Sequence, residues 1–425
     1  MKRWPPLLTT QLAMVLPVII GQILQRLFHI VDNRFVAQLG TDALVLHNVQ
    51  YTFIVFGQFL GVAAATSALV FWKRPENKLA QLFLLRSHLL LSGLVGIICF
   101  GIFVTFADLI FGHFGVPSTL NNRLGKTYFG IGLLNMVLQG LFGTLDGFLI
   151  ASNRQRIGLL LAGLQVTLNI GADAYAVSWA HRHGDLMTPL LIIGLSTTLL
   201  LIATSILAYR SVFIEEKTTL RLPFRTIFPV LRAEMGVALL RACVPIAGVW
   251  LFARIEGSSN FLVTHNLALH LSYLFCLPLI ASSQIAVKEA SHNFRSTAWR
   301  EGLFYTGILP TTVLLLFAAF FSTHLIGWVY DYQIPADHTP YLVLFFLACA
   351  IGQFANALSV PLRAKKQSFR ITRHFAIAEY GVWLGGILLL TLVHRATPTA
   401  IGWATIGFAS MFLFLNARSV KALGT

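Results

Sequence analysis

Three residues with ionisable or hydrogen-bonding side chains lie within long runs of the sequence that are mostly apolar. Asp32 lies in "HIVDNRFVAQLG", residues 29–40, and Asn169 and Asp173 lie in "LNIGADAYAV", residues 168–177. Two carboxylates and an amide oxygen form a set of hard oxygen ligands, which suits a proton or a sodium ion. Binding either cation would neutralise a charge that is costly to bury. The residue types therefore predict a reversible cation site.

The composition shows what kind of chain must position these residues. Of its 425 residues 56% are hydrophobic and only 11% are charged, and the mean hydropathy is +0.74. Soluble domains carry about a quarter charged residues. The apolar residues recur in runs of about 20, the length of a bilayer-spanning helix, and a spanning backbone must satisfy its own hydrogen bonds. The predicted fold is therefore an all-α integral membrane protein.

Twelve such runs are predicted, although proline interrupts some of them and counts of about eleven to fourteen remain open. The predicted runs are 12–34, 49–71, 84–106, 125–149, 157–178, 189–209, 236–254, 265–287, 303–321, 340–362, 375–393 and 399–416.

The net charge of +15 is distributed according to this topology. With the N-terminus placed inside, most of the 31 Lys and Arg residues fall in inside segments. Those in outside segments are Arg34, Arg123, Lys126, Arg182, Arg254 and Arg395, and Arg26 lies within the first run. This is the positive-inside pattern with both termini cytoplasmic, and it argues against a nucleic-acid face, where basic residues would cluster on one element.

The predicted location is therefore the plasma membrane, the inner membrane of a bacterium, with the lipid bilayer as a partner and no nucleic acid. We expect a monomer. Four cysteines (Cys99, Cys243, Cys276 and Cys349) all fall in apolar runs without metal-ligand spacing, so no disulfide framework is predicted. Since no nucleophile elbow, paired-acid motif or metal cluster occurs at membrane depth, the sequence predicts neither an enzyme nor a bound cofactor.

A short repeat divides the chain. "LVLHN" at residues 44–48 returns as "LVTHN" at residues 262–266, each shortly after a glycine. We interpret this as a duplication with six helices in each copy. The predicted organisation is an N-terminal lobe (1–209, helices 1–6), a charged cytoplasmic linker (210–235) and a C-terminal lobe (236–425, helices 7–12). Six helices return the chain to its starting side, so the lobes would be related by a pseudo-two-fold axis along the membrane normal, as in many secondary transporters.

The intramembrane acids are not repeated. Asp32, Asp146 and Asp173 all lie in the first half, whereas the second half has only Glu379 at membrane depth. This asymmetry suggests that the first half couples to an ion and the second mainly shapes the cavity.

Structural alternatives remain open for the acids. Asp32 could contact Arg34 or Arg26, Asp173 could be solvated or paired near its helix end, Asp146 could pair with Arg154 or Arg156, and Glu379 could pair with Arg373 or His374.

Further polar residues form stripes on otherwise apolar helices, where they should face protein or a water-filled cavity. They could line a substrate cavity or form interhelical hydrogen bonds. The candidates for the cavity are Gln25, Arg26, His29, Gln139, Gln165, Asn266, Gln353 and Asn356.

Four ordered segments of the chain resemble the multidrug and toxic compound extrusion (MATE) transporters. They are "LPVIIGQILQRLFHIVDNRFVAQLGTDAL", "GTLDGFLIASNRQRIGLLLAGLQVTLNIGADAYAV", "NFLVTHNLALHLSYLFCLPLIASSQIAV" and "LSVPLRAKKQSFRI". The resemblance implies two six-helix lobes and export of small organic molecules, including multidrug efflux, driven by a proton or sodium gradient. It further implies that Asp32, Asn169 and Asp173 form a cation site in the N-terminal lobe, joined by a helix-6 hydroxyl, for which Thr197 is chosen and Thr198 is the alternative.

The chain also departs from this family. One branch carries acids on helices 7 and 10, where this chain has Arg241 and Cys243, then Gly352 and Asn356, so a second-lobe cation site is not expected. Arg26 and Arg241 argue against a cavity for cationic drugs. The alternatives are therefore an exporter of an anionic metabolite such as a siderophore, or a flippase for lipid-linked oligosaccharides or other lipids from the same superfamily. A membrane enzyme and a channel are disfavoured.

Overall fold

The part of the chain that the structure describes forms twelve long helical segments. The computed structural model describes residues 6–71, 78–212, 224–252, 258–330, 332–393 and 396–423. The α-helices are α1 (Pro6–Gln38), α2 (Thr41–Phe71), α3 (Lys78–Thr105), α4 (Ala107–His113), α5 (Arg123–Ala151), α6 (Gln155–His183), α7 (Met187–Val212), α8 (Phe224–Phe252), α9 (Ser258–His292), α10 (Ala298–Gly302), α11 (Leu309–Tyr330), α12 (Thr339–Ala364), α13 (Ser368–Ala376), α14 (Gly385–Leu392) and α15 (Pro398–Lys421). Two π-helical segments, Leu303–Ile308 and Ile377–Leu384, connect α10 to α11 and α13 to α14 without a break.

Each predicted apolar run falls on one of these segments, with two local differences. The short helix α4 was not predicted, and the linker predicted for residues 210–235 is helical over part of its length. α7 continues to Val212 and α8 begins at Phe224, while residues 213–223 lie outside the described part of the chain. The charges of this stretch suggested a loop, but Glu234 is buried.

The segments are long and apolar enough for a membrane protein. Among the described residues eleven helical segments meet the length and hydropathy of a membrane span, and α8, with 29 residues, is the twelfth long helix. Large apolar side chains lie fully on the surface, including Leu90 at 74% and Trp328 at 83% exposure. Apolar surface of this kind is stable against lipid and not against water. The chain is therefore an integral membrane protein.

Packing divides the chain into two compact units. Residues 20–231 with 241–246 form one, called here the N-terminal unit, and residues 1–19, 232–240 and 247–425 form the C-terminal unit.

Close packing of α2 against α5 forms the centre of the N-terminal unit. A Cβ atom added to Gly57 would lie 1.8 Å from the carbonyl oxygen of Met136, and one added to Gly61 would lie 3.0 Å from Cα of Gly143. Small residues at four-residue spacing allow helix backbones to approach this closely in membranes. The first two turns of the same two helices carry His47 and Tyr128, which are described below.

The C-terminal unit is organised around α9, α12 and α15. Asn416 of α15 donates from Nδ2 to the carbonyl of Ala355 in α12 at 3.0 Å. Its Oδ1 lies 2.8 Å from Nδ1 of His374, which connects α15 to α13 as well. A single buried amide thereby connects three helical segments of this unit.

Candidate functional site

Two carboxylates converge on one amide inside the N-terminal unit. Asn169 Nδ2 donates to Oδ1 of Asp32 and to Oδ2 of Asp173 at 3.0 Å. The carboxyl groups of Asp32 and Asp173 also lie within hydrogen-bonding reach of each other. Asn169 and Asp173 are fully buried, and Asp32 is 4% exposed. The structure thus brings together the three residues whose types indicated a cation site.

Local helix geometry explains how these side chains meet. Asn169 and Asp173 stand four residues apart on α6, so they share one helix face. Asp32 reaches them from the last turns of α1. Since two adjacent carboxylates repel each other, a proton or a cation held between them would stabilise the arrangement.

A hydroxyl from α7 completes the cluster. Thr197 Oγ1 donates to Oδ1 of Asn169 at 3.3 Å and also lies 3.0 Å from the carbonyl of Ile193. The alternative hydroxyl, Thr198, donates to Oδ1 of Asn135 at 2.7 Å instead. The geometry therefore places Thr197, and not Thr198, next to the acid pair.

The orientation of Asn169 differs from the sequence-based expectation. We expected its amide oxygen to face the cation, but the amide nitrogen faces the carboxylates and the oxygen faces Thr197. The physical reason is that two carboxylates present only acceptors when they are charged, so they select the donor end of the amide.

A tyrosine–histidine contact lies near the acid cluster in the same unit. The Tyr128 hydroxyl is 2.7 Å from Nδ1 of His47, and a Cβ added to Gly194, one turn before Thr197, would lie 3.3 Å from the Tyr128 ring. Gln50 Nε2 donates to the Tyr128 carbonyl at 2.6 Å. Both Tyr128 and His47 are buried. This contact extends the polar cluster from α1, α6 and α7 to α2 and α5.

The C-terminal unit repeats the histidine–tyrosine contact without the acids. His265, in the second copy of the repeated pentapeptide, bonds the Tyr341 hydroxyl through Nδ1. By the repeat, Asp173 corresponds to about Gly386 and Asp146 to about Ser359. The counterpart of Asp32, about Val249, has a side chain outside the described part of the chain. The acid pair is therefore a feature of the N-terminal unit among the residues described.

The predicted cavity residues of the N-terminal unit are distributed around this cluster. His29 is buried and its Nε2 lies 2.9 Å from Nε2 of Gln58. Gln25 and Gln139 are half-buried, and the side chain of Arg26 lies outside the described part. Gln165 Nε2 donates to Oγ1 of Thr204 at 2.6 Å, which connects α6 to α7.

The candidates of the C-terminal unit lie within that unit. Gln353 Nε2 donates to Sγ of Cys276 at 2.9 Å, and Asn356 Nδ2 donates to Oε1 of Gln353 at 3.3 Å. Asn266 is buried on α9. These positions do not decide between a cavity lining and interhelical bonding, and both interpretations stay predictions.

Asp146 does not form the salt bridge considered as an alternative. Arg154 donates to the Ser211 carbonyl instead, Arg156 is exposed, and within the described residues the half-buried Asp146 carboxylate has no ion-pair partner. Its Oδ1 lies against Gly158, where an added Cβ would approach it to 2.5 Å.

Glu379 is buried on the second π-helical segment. The ring of His374, one of its suggested partners, lies between Asn416 on Nδ1 and Ser419 on Nε2. Within the described part of the chain no group of three His, Cys, Asp or Glu residues could hold a metal ion.

No functional role was predicted for His47 or Tyr128 from the sequence. A signal was available, since the histidine of the repeated pentapeptide is followed in both halves by a tyrosine at nearly the same distance, Tyr128 and Tyr341. The position of Tyr128 relative to the acids could not be inferred, because it depends on how α1, α5 and α6 pack.

Comparisons with known proteins agree with this architecture. Residues 17–174 match the family model MatE, a range that contains Asp32, Asn169 and Asp173. No curated protein sequence matches the chain significantly.

Solved structures resemble the chain over almost its full length. One is a MOP superfamily transporter from Pyrococcus furiosus, with 15% sequence identity, a TM-score of 0.72 and coverage of 99% of this chain and 97% of that chain. Another is a mutant of the Vibrio cholerae MATE transporter VcmN, with 13% identity, a TM-score of 0.72 and coverage of 98% and 97%. A MATE in the straight conformation has 15% identity, a TM-score of 0.73 and coverage of 98% and 97%.

At these identities the structural likeness establishes the fold, in which twelve helices form two lobes. The family model adds a match in sequence over the segment that carries the acid pair. The MatE model thus matches residues 17–174, and the whole chain shares the fold of solved MATE and MOP superfamily transporters.

Proposed function

We propose that the chain is a secondary active exporter of small organic molecules, driven by inward movement of a proton or a sodium ion that binds in the N-terminal unit. The observation that carries the proposal is the buried cluster in which Asn169 bonds both Asp32 and Asp173. Burying a carboxylate at membrane depth costs free energy, so such residues usually serve a function. Two of them on one amide give a site whose charge changes when a cation arrives or leaves.

The coupling follows from the location of these residues on three helices. Asp32 belongs to α1, Asn169 and Asp173 belong to α6, and Thr197 belongs to α7. Neutralising the carboxylates removes their repulsion and changes their hydrogen bonds, so cation binding alters the packing of α1 against α6 and α7. If the two access states of the transporter differ in cation affinity, the gradient biases the exchange between them.

We infer the plasma membrane as the location, with both termini cytoplasmic, from the distribution of basic residues. The substrate proposed is a small organic molecule, and the functional form proposed is the monomer. No enzymatic step and no resident cofactor are part of the proposal.

Transport by the purified protein in liposomes tests the proposal. A panel of fluorescent dyes would be offered under an imposed proton gradient and, separately, under a sodium gradient, to wild type and to Asp32→Asn. Asp108→Asn is the matched control, since Asp108 is an exposed aspartate paired with Lys126 at the surface. We expect gradient-driven dye export that Asp32→Asn loses and Asp108→Asn retains.

Two results would contradict the proposal. Export by Asp32→Asn at the wild-type rate would make Asp32 a structural residue. If neither gradient drives export of any dye, the result contradicts multidrug export. It would then favour the exporter of an anionic metabolite or the lipid flippase.

A further inference from the structure

We propose that His47 and Tyr128 form a proton relay that connects the outer end of α2 to the Asp32 and Asp173 carboxyl pair. This inference rests on the proposed function and deepens it, because it selects the proton as the coupling ion and names its route. The geometry that carries it is the 2.7 Å contact between Nδ1 of His47 and the Tyr128 hydroxyl. The Tyr128 ring lies against Gly194 of α7, one turn before Thr197, which donates to Asn169 of the acid cluster.

The two side chains can pass a proton with no net change in charge. His47 begins neutral, with its Nδ1 proton donated to the Tyr128 oxygen. When Nε2 takes up a proton, the ring becomes an imidazolium, and its Nδ1 proton moves to the Tyr128 oxygen as the Tyr128 O–H bond breaks and that proton passes to a carboxylate. His47 is left neutral with its proton on Nε2, and a flip of the ring returns the N–H to the Tyr128 oxygen. One water molecule between Tyr128 and a carboxylate would complete the route.

The free nitrogen of His47 provides an independent observation. His47 is 4% exposed, and its Nε2 atom is buried without a hydrogen-bond partner among the described residues. Buried polar atoms are normally satisfied by protein or water, so this nitrogen marks a place for a water molecule. His47 is the seventh residue of α2, about 9 Å along the axis from the first. In the predicted topology that end of α2 faces the outside.

Among the described residues, the other titratable groups near this end of α2 do not connect it to the acid pair. α1 provides Asp32 and His29, α6 provides Asp173, and Asp42 lies exposed in the first turn of α2. The ring of His29 packs against Tyr51, one turn beyond His47 on α2, with centroids 4.8 Å apart, and its Nε2 lies by Gln58. The other histidine that faces α2, His88 of α3, lies at the opposite end of α2 beside Ser67.

The orientation of Asn169 favours a proton over a sodium ion. A sodium site would use the amide oxygen as a ligand, but that oxygen accepts from Thr197 and the amide nitrogen points at the carboxylates. A proton shared by the two carboxyl groups is compatible with these hydrogen bonds as they stand.

The repeated contact in the C-terminal unit supplies a matched control. His265 and Tyr341 have the same bond and similar burial, with no acid pair beside them among the described residues. Loss of the C-terminal contact shows whether breaking a histidine–tyrosine bond slows proton uptake merely by loosening the fold, since the proposed relay needs only the contact in the N-terminal unit.

The experiment follows proton uptake directly and needs no known substrate. Proteoliposomes would receive a sudden drop in external pH, and the infrared band of protonated carboxyl groups would be followed in time. The difference between the bands of wild type and Asp32→Asn measures protonation of the acid pair. We expect His47→Gln and Tyr128→Phe to slow the rise of this component about tenfold or more, while His265→Gln and Tyr341→Phe keep the wild-type rate. Glutamine keeps a bond to Tyr128 but cannot carry the proton.

The outcomes separate failure of the relay from failure of the proposed function. A rise that is unchanged in His47→Gln, or equally slowed in His265→Gln, overturns the relay and leaves the acid pair as a cation site. If Asp32→Asn removes no part of the band, the acid pair takes up no proton, and both the relay and proton coupling at this site are wrong. Uptake of a proton by the pair together with export driven by sodium alone also overturns the relay.

Discussion

Asn153 and Lys366 occupy the same position in two copies of one turn. Each has a positive φ, 60° and 58°, and each follows the end of a long helix. In both turns the next residue donates its N–H to a carbonyl five residues earlier, Arg154 to Leu149 at 2.7 Å and Gln367 to Leu362 at 2.8 Å. This is the helix-ending motif in which one residue adopts the left-handed conformation. Together with the two histidine–tyrosine contacts, it is a local arrangement present in both units, as the predicted duplication would require.

Substitution by glycine should stabilise the protein by different amounts at the two turns. Left-handed backbone costs an L-residue about 1–2 kcal/mol, and asparagine tolerates it better than lysine. Lys366→Gly should therefore raise the free energy of unfolding by about 1 kcal/mol, and Asn153→Gly by less. Thermal unfolding in detergent, followed by circular dichroism, measures both. A loss of stability in Lys366→Gly would show that its side chain makes contacts worth more than the backbone strain.

Gly57 should be intolerant of any side chain. Because an added Cβ would lie 1.8 Å from the Met136 carbonyl oxygen, Gly57→Ala must push α2 away from α5. We expect a loss of about 2 kcal/mol or more, as for other overpacked interfaces, and a weakened contact between His47 and Tyr128. Gly101→Ala is the control, since nothing lies within 4 Å of its added Cβ. Equal melting temperatures for the two variants would contradict the close packing of α2 and α5.

Glu234 should be important for the stability of the C-terminal unit. Its side chain is 2% exposed and lies 3.4 Å from Nε of Arg363, and it accepts a bond from Ser368. Removing one partner of a buried ion pair leaves the other charge uncompensated, so Glu234→Ala should cost about 3 kcal/mol.

Ser368→Ala, which keeps the ion pair, should cost about 1 kcal/mol. The double variant would show whether the two effects are coupled. If Glu234→Ala is as stable as wild type, the ion pair with Arg363 does not stabilise the C-terminal unit. Glu234 would then behave like an exposed linker residue, as its charged neighbours in the sequence suggest.

Sequence reasoning succeeded where one physical quantity dominates. Run length and hydropathy determine the spans, since a chain in lipid has few alternatives to a helix. The types and spacing of Asn169 and Asp173 indicated a shared site, because four residues make one helical turn. It failed where tertiary packing decides. The donor end of Asn169 faces the acids because of where Asp32 arrives from α1, and Glu234 is helical and buried because Arg363 lies beside it. Neither relation is visible along the chain.

Because of Asp185, the free energy of unfolding of the N-terminal unit should depend on pH at values below the ordinary pKa of an aspartate. Its carboxylate accepts from the Thr188 hydroxyl, from the Met187 N–H at 2.9 Å and from the Thr188 N–H at 3.2 Å, and so caps the start of α7. These bonds, above all that from Thr188, lower the pKa of Asp185 below its ordinary value of 3.8. A carboxyl group with a lowered pKa in the folded state stabilises the fold above the unfolded pKa. That contribution is lost as the pH falls through the folded pKa.

Asp185→Ala should therefore cost about 1 kcal/mol at neutral pH, the usual value of a helix cap. The difference from wild type should shrink as the pH falls below 3.8. Melting temperatures measured in detergent from neutral pH down through this range would follow the change. Asp185→Asn is the matched control, since its amide oxygen accepts the same bonds at every pH, and its difference from wild type should be small at neutral pH. A deficit in Asp185→Ala that stays constant down to strongly acidic pH would mean that the carboxylate charge contributes nothing to the cap.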